Sequence, residues 1–205
     1  TGDAAGNRTS YAYDGLGRKI AVTDPLGNTT HTTYDSAGNV TAQWGAAHPV
    51  AYEYDTAGRR IAMYTYRGSE EITSQSQIEN LKSEMDCTRW LYDHATGLLT
   101  NKVYADGSRV RYTYTEGGRL ATRVWSRGVV TEYSYDALGQ LTNVNYGGSA
   151  PAVAYAYDRL GRMLSAISPV SYSLYAYTGL ELTEEIQDGW LFTRPADGFG
   201  RGAGY

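Results

Sequence analysis

Short runs in which aromatic residues alternate with small or polar ones recur along the chain: Tyr11-Ala12-Tyr13, Tyr52-Glu53-Tyr54, Tyr112-Thr113-Tyr114, Tyr133-Ser134-Tyr135, Tyr155-Ala156-Tyr157 and Tyr175-Ala176-Tyr177. Trp90-Leu91-Tyr92 keeps the same spacing as an aromatic pair. A period of two is that of a β-strand, in which alternate side chains share a face. Each run ends in a cluster of turn formers, and a reversal comes about every ten residues, flanked by β-formers. This pattern predicts an all-β chain folded as an antiparallel meander of tandem hairpins.

The turns themselves repeat. Tyr13 leads into Asp14-Gly15-Leu16-Gly17-Arg18, Tyr54 into Asp55 with Gly58 and Arg59, and Tyr157 into Asp158 with Gly161 and Arg162. Tyr34 with Asp35 and Gly38, Tyr92 with Asp93 and Gly97, and Tyr135 with Asp136 and Gly139 are close variants. Tyr114 leads into a copy with Thr115 in the aspartate place, followed by Gly118 and Arg119. Degenerate copies stand at Tyr177-Thr178 and at Asp197-Gly198-Phe199-Gly200-Arg201. The aspartate position advances by about 20 residues each time, except for one long step from Asp55 to Asp93. A weaker set of turns lies at mid-period: Asp24-Pro25-Leu26-Gly27-Asn28, Trp44-Gly45-Ala46, Ala105-Asp106-Gly107-Ser108, Ser126-Arg127-Gly128 and Tyr146-Gly147-Gly148-Ser149. Each repeat therefore reads as two strands and two turns.

The residue types explain the recurrence. An aspartate heading a turn accepts backbone N–H groups two residues on, and a glycine three residues after it takes the left-handed conformation that closes a type I turn with a G1 bulge. Tyrosines two apart put both rings on one strand face, so stacked copies predict a ladder of rings. Such a ladder either packs as structure or, if exposed, grips a sugar or a protein surface. Its presence in every copy favours the structural reading.

Composition narrows the field of functions. Among 205 residues there are 20 Tyr and 24 Gly but only 2 Phe and 5 Pro, as strands and turns would use. The net charge of -4 is spread singly along the chain and gives no footprint for nucleic acid or an anionic membrane surface. No run approaches the length of a membrane span, and Thr1 to Ser10 lack the regions of a signal peptide. The single Cys87 excludes an internal disulfide and a cysteine-rich zinc site, and an inert thiol is the expectation for it.

The aspartates are expected to serve turns rather than acid–base chemistry. His31, His48 and His94 lack paired ligand spacing, Glu184, Glu185 and Asp188 read as a solvated stretch, and the glycines of Asp197 to Gly202 lack the ending of a phosphate loop. No catalytic residue, metal site or cofactor is expected.

Tyr-Asp-x-x-Gly-Arg copies at this spacing closely resemble the YD-repeat or Rhs family, and the match covers nearly the whole chain except about residues 65–90. Members are large extracellular proteins, among them toxin-complex subunits, contact-dependent polymorphic toxins and teneurins. The resemblance implies a curved β-sheet strip that forms part of a larger spiral shell. In the toxins that shell encloses a C-terminal effector, and a role in carbohydrate binding has also been suggested for the repeats. It further implies an extracellular or envelope-associated setting, and as partners the remainder of the same polypeptide, with a glycan or surface protein as the alternative. No copy of the family's C-terminal core segment stands in this sequence. On this reading residues 1–205 are one repeat array within a larger protein.

The long step contains an irregular insertion at 65–90. Ser76-Gln77-Ile78-Glu79 has capping-box form, and Ile78, Leu81 and Met85 recur at helical spacing, which predicts a short helix over 77–86. So short a helix would have to dock its apolar side on the sheet; otherwise the segment is a mobile polar loop.

Overall fold

A computed structural model describes residues 8–68 and 71–193, and the chain divides into two compact units, residues 1–109 and 110–205. The degenerate copy at Asp197 to Arg201 lies outside the described residues. The first unit contains β1 (Ser10–Tyr13), β2 (Lys19–Thr23), β3 (Thr29–Tyr34), β4 (Val40–Gly45), β5 (Val50–Tyr54), β6 (Arg60–Thr65), α1 (Gln75–Leu81), β7 (Asp86–Tyr92) and β8 (Leu99–Val103). The second contains β9 (Arg109–Tyr114), β10 (Leu120–Val124), β11 (Val130–Tyr135), β12 (Leu141–Asn145), β13 (Val153–Tyr157), β14 (Met163–Ile167), β15 (Tyr172–Thr178), β16 (Glu181–Gln187) and β17 (Trp190–Thr193). Within each unit every strand pairs antiparallel with its neighbours in sequence, the meander that the alternating pattern predicts.

The signature turns close as three-residue hairpin loops. In the first copy the Asp14 N–H donates to the Arg18 carbonyl and the Gly17 N–H to the Asp14 carbonyl, both at 3.0 Å. The same pair of bonds recurs at Asp35, Asp55, Thr115, Asp136 and Asp158. Gly17 and Gly161 sit at φ 76° and 81°, the left-handed residue that completes the type I turn and G1 bulge. The copy at Asp93 is one residue longer, with Gly97 donating four positions back to Asp93. Thr178 departs from the expected role of turn head. It pairs directly with Glu181 at the end of β15, leaving Gly179-Leu180 as a two-residue turn.

A second irregularity was not foreseen from the pattern. Beside each signature turn the register slips by one residue on the returning strand, leaving Ile20, Thr41, Ile61 and Thr100 unpaired in the first unit. Ala121, Thr142, Leu164 and Thr183 are their counterparts in the second. Such bulges bend a strand and sharpen its twist.

The insertion forms a docked helix. It spans Gln75–Leu81 and continues as a 3-10 turn over Lys82–Glu84, two residues earlier at its start than the apolar spacing alone suggests. The shift has a local cause: Ser74, not Ser76, is the N-cap, and its capping box is closed by Gln77. Ile78 (1 % exposed), Ile72 and Met85 pack with Ala42, Trp44, Ala51 and Tyr66 in the principal apolar cluster, with Leu81 and Tyr64 alongside. Lys82 reaches Glu53 at 2.8 Å, and Glu53 also accepts from the Tyr64 hydroxyl at 3.1 Å. By register, Ala51, Tyr64 and Cys87 share one face of the sheet, opposite the ladder face that carries Tyr52, Tyr54, Trp90 and Tyr92.

Two outcomes are expected. Ile78→Ala removes a fully buried side chain and should destabilise the protein by about 2 to 4 kcal/mol in chemical denaturation. Gly161→Val places a β-branched residue at positive φ, costing about 1 to 2 kcal/mol, so its melting temperature should fall by several degrees. Gly15→Ala, in open space with ordinary φ, should leave the melting temperature nearly unchanged.

Candidate functional site

The chemistry of this chain concentrates where one copy meets the next. Within each copy the aspartate organises its own turn. One carboxylate oxygen of Asp14 accepts from the backbone N–H groups of Leu16 and Arg18, both at 2.9 Å. Asp24, Asp35, Asp55, Asp136 and Asp158 accept in the same two-and-four pattern. In the copy without an acid, the Thr115 hydroxyl accepts from the Arg119 N–H at 3.2 Å.

Hydrogen bonds to the charged form stabilise it, so the carboxyls of Asp14, Asp24, Asp35, Asp55 and Asp158 titrate low. The Arg18 backbone N–H holds Asp14 below its ordinary 3.8, and the Arg162 N–H does the same for Asp158. At Asp55 the Arg59 side chain is the main cause; at Asp35 and Asp24 it is the side chains of Asn39 and Asn28. Asp93 and Asp106 are lowered chiefly by the hydroxyls of Thr96 and Ser108.

The arginine carries the connection outward. Arg18 donates through Nε to Asp14 at 2.7 Å and through a terminal nitrogen to the backbone carbonyl of Asp35, in the next signature turn, at 2.8 Å. Its guanidinium lies over the Tyr34 ring at 4.8 Å, and the Tyr34 hydroxyl donates back to the Lys19 carbonyl at 2.8 Å. Arg59 repeats every element of this clasp with Asp55, the Gly97 carbonyl, the Tyr92 ring and the bond from Tyr92 to the Arg60 carbonyl. Arg162 repeats it with Asp158, the Gly179 carbonyl, the Tyr177 ring and the bond from Tyr177 to Met163. Arg119, lacking an acid partner in its turn, lies over Tyr135 at 6.0 Å, and the Tyr135 hydroxyl still donates to the Leu120 carbonyl.

Sequence reasoning placed the aspartates and glycines in turns and the tyrosines on one face. It missed that the arginine and the second tyrosine of each pair couple neighbouring copies. The signal lay in the spacing, since Arg18, Arg59, Arg119 and Arg162 each stand one residue past the left-handed glycine, where a long side chain clears its own turn.

The remaining candidates fall elsewhere. His31 stacks on Trp44 with ring centroids 5.4 Å apart, while His48 precedes β5 and His94 lies in the Asp93 turn. Among the described residues no group of three or more His, Cys, Asp and Glu could hold a metal ion, and no helix is long and apolar enough to cross a membrane. Cys87 is half-buried in β7. Glu184 is exposed, but Asp188 is not merely solvated: it accepts from the Tyr172 N–H at 2.7 Å and from the Ser171 hydroxyl at 3.1 Å. It also heads a two-residue turn with Gly189 in which both residues have positive φ, 48° and 89°.

This geometry has counterparts among known proteins. The chain is 24% identical over 209 residues to double-stranded DNA deaminase toxin A of Burkholderia cenocepacia (strain H111), a match that covers 85% of this chain and 15% of that protein. The fold is shared with the crystal structure of TcdB2-TccC3-Cdc42 at a TM-score of 0.62 and 17% identity, over 84% of this chain and 10% of that one. It is shared likewise with TcdB2-TccC3 without its hypervariable C-terminal region, at a TM-score of 0.56 and 15% identity, over 88% and 11%. The chain thus spans a small part of the length of each. The RHS Repeat family model matches residues 2–29, 34–71, 92–124 and 135–170, and the chain belongs to the RHS Repeat family.

Proposed function

We propose that this chain is a non-catalytic wall segment of a large secreted or envelope-associated Rhs protein, surrounding or supporting another part of the same polypeptide such as a toxin effector. One observation carries this reading: at Asp14 and Asp55 the carboxylate, guanidinium and phenol of the signature motif are taken up by the turn itself and by the adjacent copy, so the most repeated polar groups serve the joints of the sheet. The names of the similar proteins agree with it, one a toxin and the other TcdB2-TccC3 solved without a hypervariable C-terminal region. The deaminase activity in the first name is not proposed for these repeats. A glycan-binding ladder has less support, because the tyrosines from Tyr34 onward in the signature motifs are half-buried, and Tyr34, Tyr54, Tyr92, Tyr135 and Tyr177 already donate their hydroxyls to backbone carbonyls.

Protease protection in the full-length protein tests the enclosure. Sequence outside the repeats should resist cleavage while the wall is folded and become sensitive once Gly161→Val or mild denaturant loosens it. Immediate cleavage in the native state would rule the reading out.

The clasp makes its own prediction. Arg162→Ala should lower the melting temperature by more than Arg159→Ala, whose side chain sits at an exposed turn tip. Acid should act on the same contacts. Because the native carboxyls are held below the ordinary value, their contribution to stability is present at neutral pH, persists above the unfolded pKa near 3.8, and is lost as pH falls through that value and the lower native ones. Denaturation midpoints should therefore stay level from pH 7 to about 5 and drop below about 4, with a smaller drop in a variant carrying Asp14→Asn, Asp55→Asn and Asp158→Asn together.

A further inference from the structure

The clasping arginine is present in every second copy. Arg18, Arg59, Arg119 and Arg162 occupy the position after the left-handed glycine, whereas Asn39, Leu98 and Gln140 occupy it in the copies between. Asn39 turns back on Asp35 at 2.9 Å and is too short to reach another turn. The side chains thus mark two kinds of junction.

The backbone marks the same two kinds independently. Where an arginine spans the junction, three or four residues pair across it: Ala21 to Thr23 with His31 to Thr29, Ala62 to Thr65 with Arg89 to Asp86, Thr122 to Val124 with Glu132 to Val130, and Ser165 to Ile167 with Leu174 to Tyr172. After Asn39 only two do, Ala42 with Ala51 and Gln43 with Val50. After Gln140 again only two do, Asn143 with Ala154 and Val144 with Val153. Both short ladders lead into wide connections built alike, Gly45 to Pro49 and Gly147 to Pro151. Gly45 and Gly147 have positive φ, and a Cβ on either would collide with a strand carbonyl, that of Thr29 or Val130. Only glycine fits at either position, so both wide connections begin with the same close approach of backbone to backbone.

The two weak junctions differ in what covers them. Ala42 and Ala51, the paired residues of the β4–β5 junction, are 0 % and 1 % exposed because α1 and the residues flanking it lie over them through Ile78, Ile72 and Met85. Their counterparts at the β12–β13 junction are Asn143, half-buried, and Ala154, exposed. We infer that the cooperative unit of this array is a pair of copies joined by an arginine, that α1 and its flanking residues form a strap across the arginine-free seam of the first unit, and that the unstrapped seam between β12 and β13 is where the second unit opens first. In a stacked array each interface contributes separately to stability, so a junction with fewer ladder bonds and no charge-assisted clasp opens at lower free energy than its neighbours.

Native-state hydrogen exchange on the whole chain reads this directly. The amides of Val144 and Val153, which point across the seam, should exchange at least about tenfold faster than those of Ala166 and Ser173, which point across the adjacent clasped junction, the factor one lost charged hydrogen bond implies. Gln140→Arg should slow exchange at the β12–β13 seam, and Arg162→Gln should speed it between β14 and β15. Ile78→Ala should speed exchange at the amides of Gln43 and Val50, which point across the β4–β5 seam, while leaving the β12–β13 amides unchanged. Equal protection at the clasped and unclasped junctions of the unaltered protein would overturn the inference, even if a variant fails to fold. So would a folded Gln140→Arg variant whose seam exchanges at the original rate.

Discussion

A guanidinium held between an aspartate of its own turn and a backbone carbonyl of the next is the contact on which the rest of this architecture depends. A hairpin of two short strands is marginal in water, and each copy buries little on its own. Anchoring the arginine on its own aspartate fixes its direction before the neighbour arrives, so little side-chain freedom is lost when it meets the next turn and lies over the next tyrosine. That tyrosine completes the exchange by donating to the carbonyl just beyond the arginine. Sequence motif and packing interface are therefore the same residues.

The meander, the turn geometry and the shared face of the tyrosines were legible because all three are local. Alternation has a period of two, and an aspartate three residues before a glycine specifies one loop conformation. The bulges at Ile20, Thr41, Ile61 and their counterparts were not legible, because an unpaired residue there differs in no chemical respect from a paired one. The helix was legible in kind but displaced, since Ser74 and Ser76 offer the same hydroxyl and each has a side chain three residues on that could close a capping box, Gln77 or Glu79, of which the chain uses Gln77. Thr178 misled for a related reason: it stands in the aspartate place, yet Gly179 comes directly after it and permits a tighter reversal.

The candidate site was legible as a set of residues and not as an interface. Asp14, Gly17 and Arg18 are close in sequence, and their bonds inside the turn are set by spacing. Their bonds to Tyr34 and the Asp35 carbonyl depend on which strand lies alongside. Asn39 and Gln140 look like tolerable replacements when each copy is read alone, and only the shortened ladders beside them show that the change alters the joint.

Each copy carries its own turn and its own bulge on the returning strand, and every second copy carries the arginine that faces its neighbour. The extra residue always falls on the same side of the hairpin, so every copy adds a bend of the same sense. Duplication or loss of a whole copy by recombination would change how far the sheet extends while leaving the sense of its bending untouched. A sheet written in this way can be lengthened without any residue elsewhere having to change.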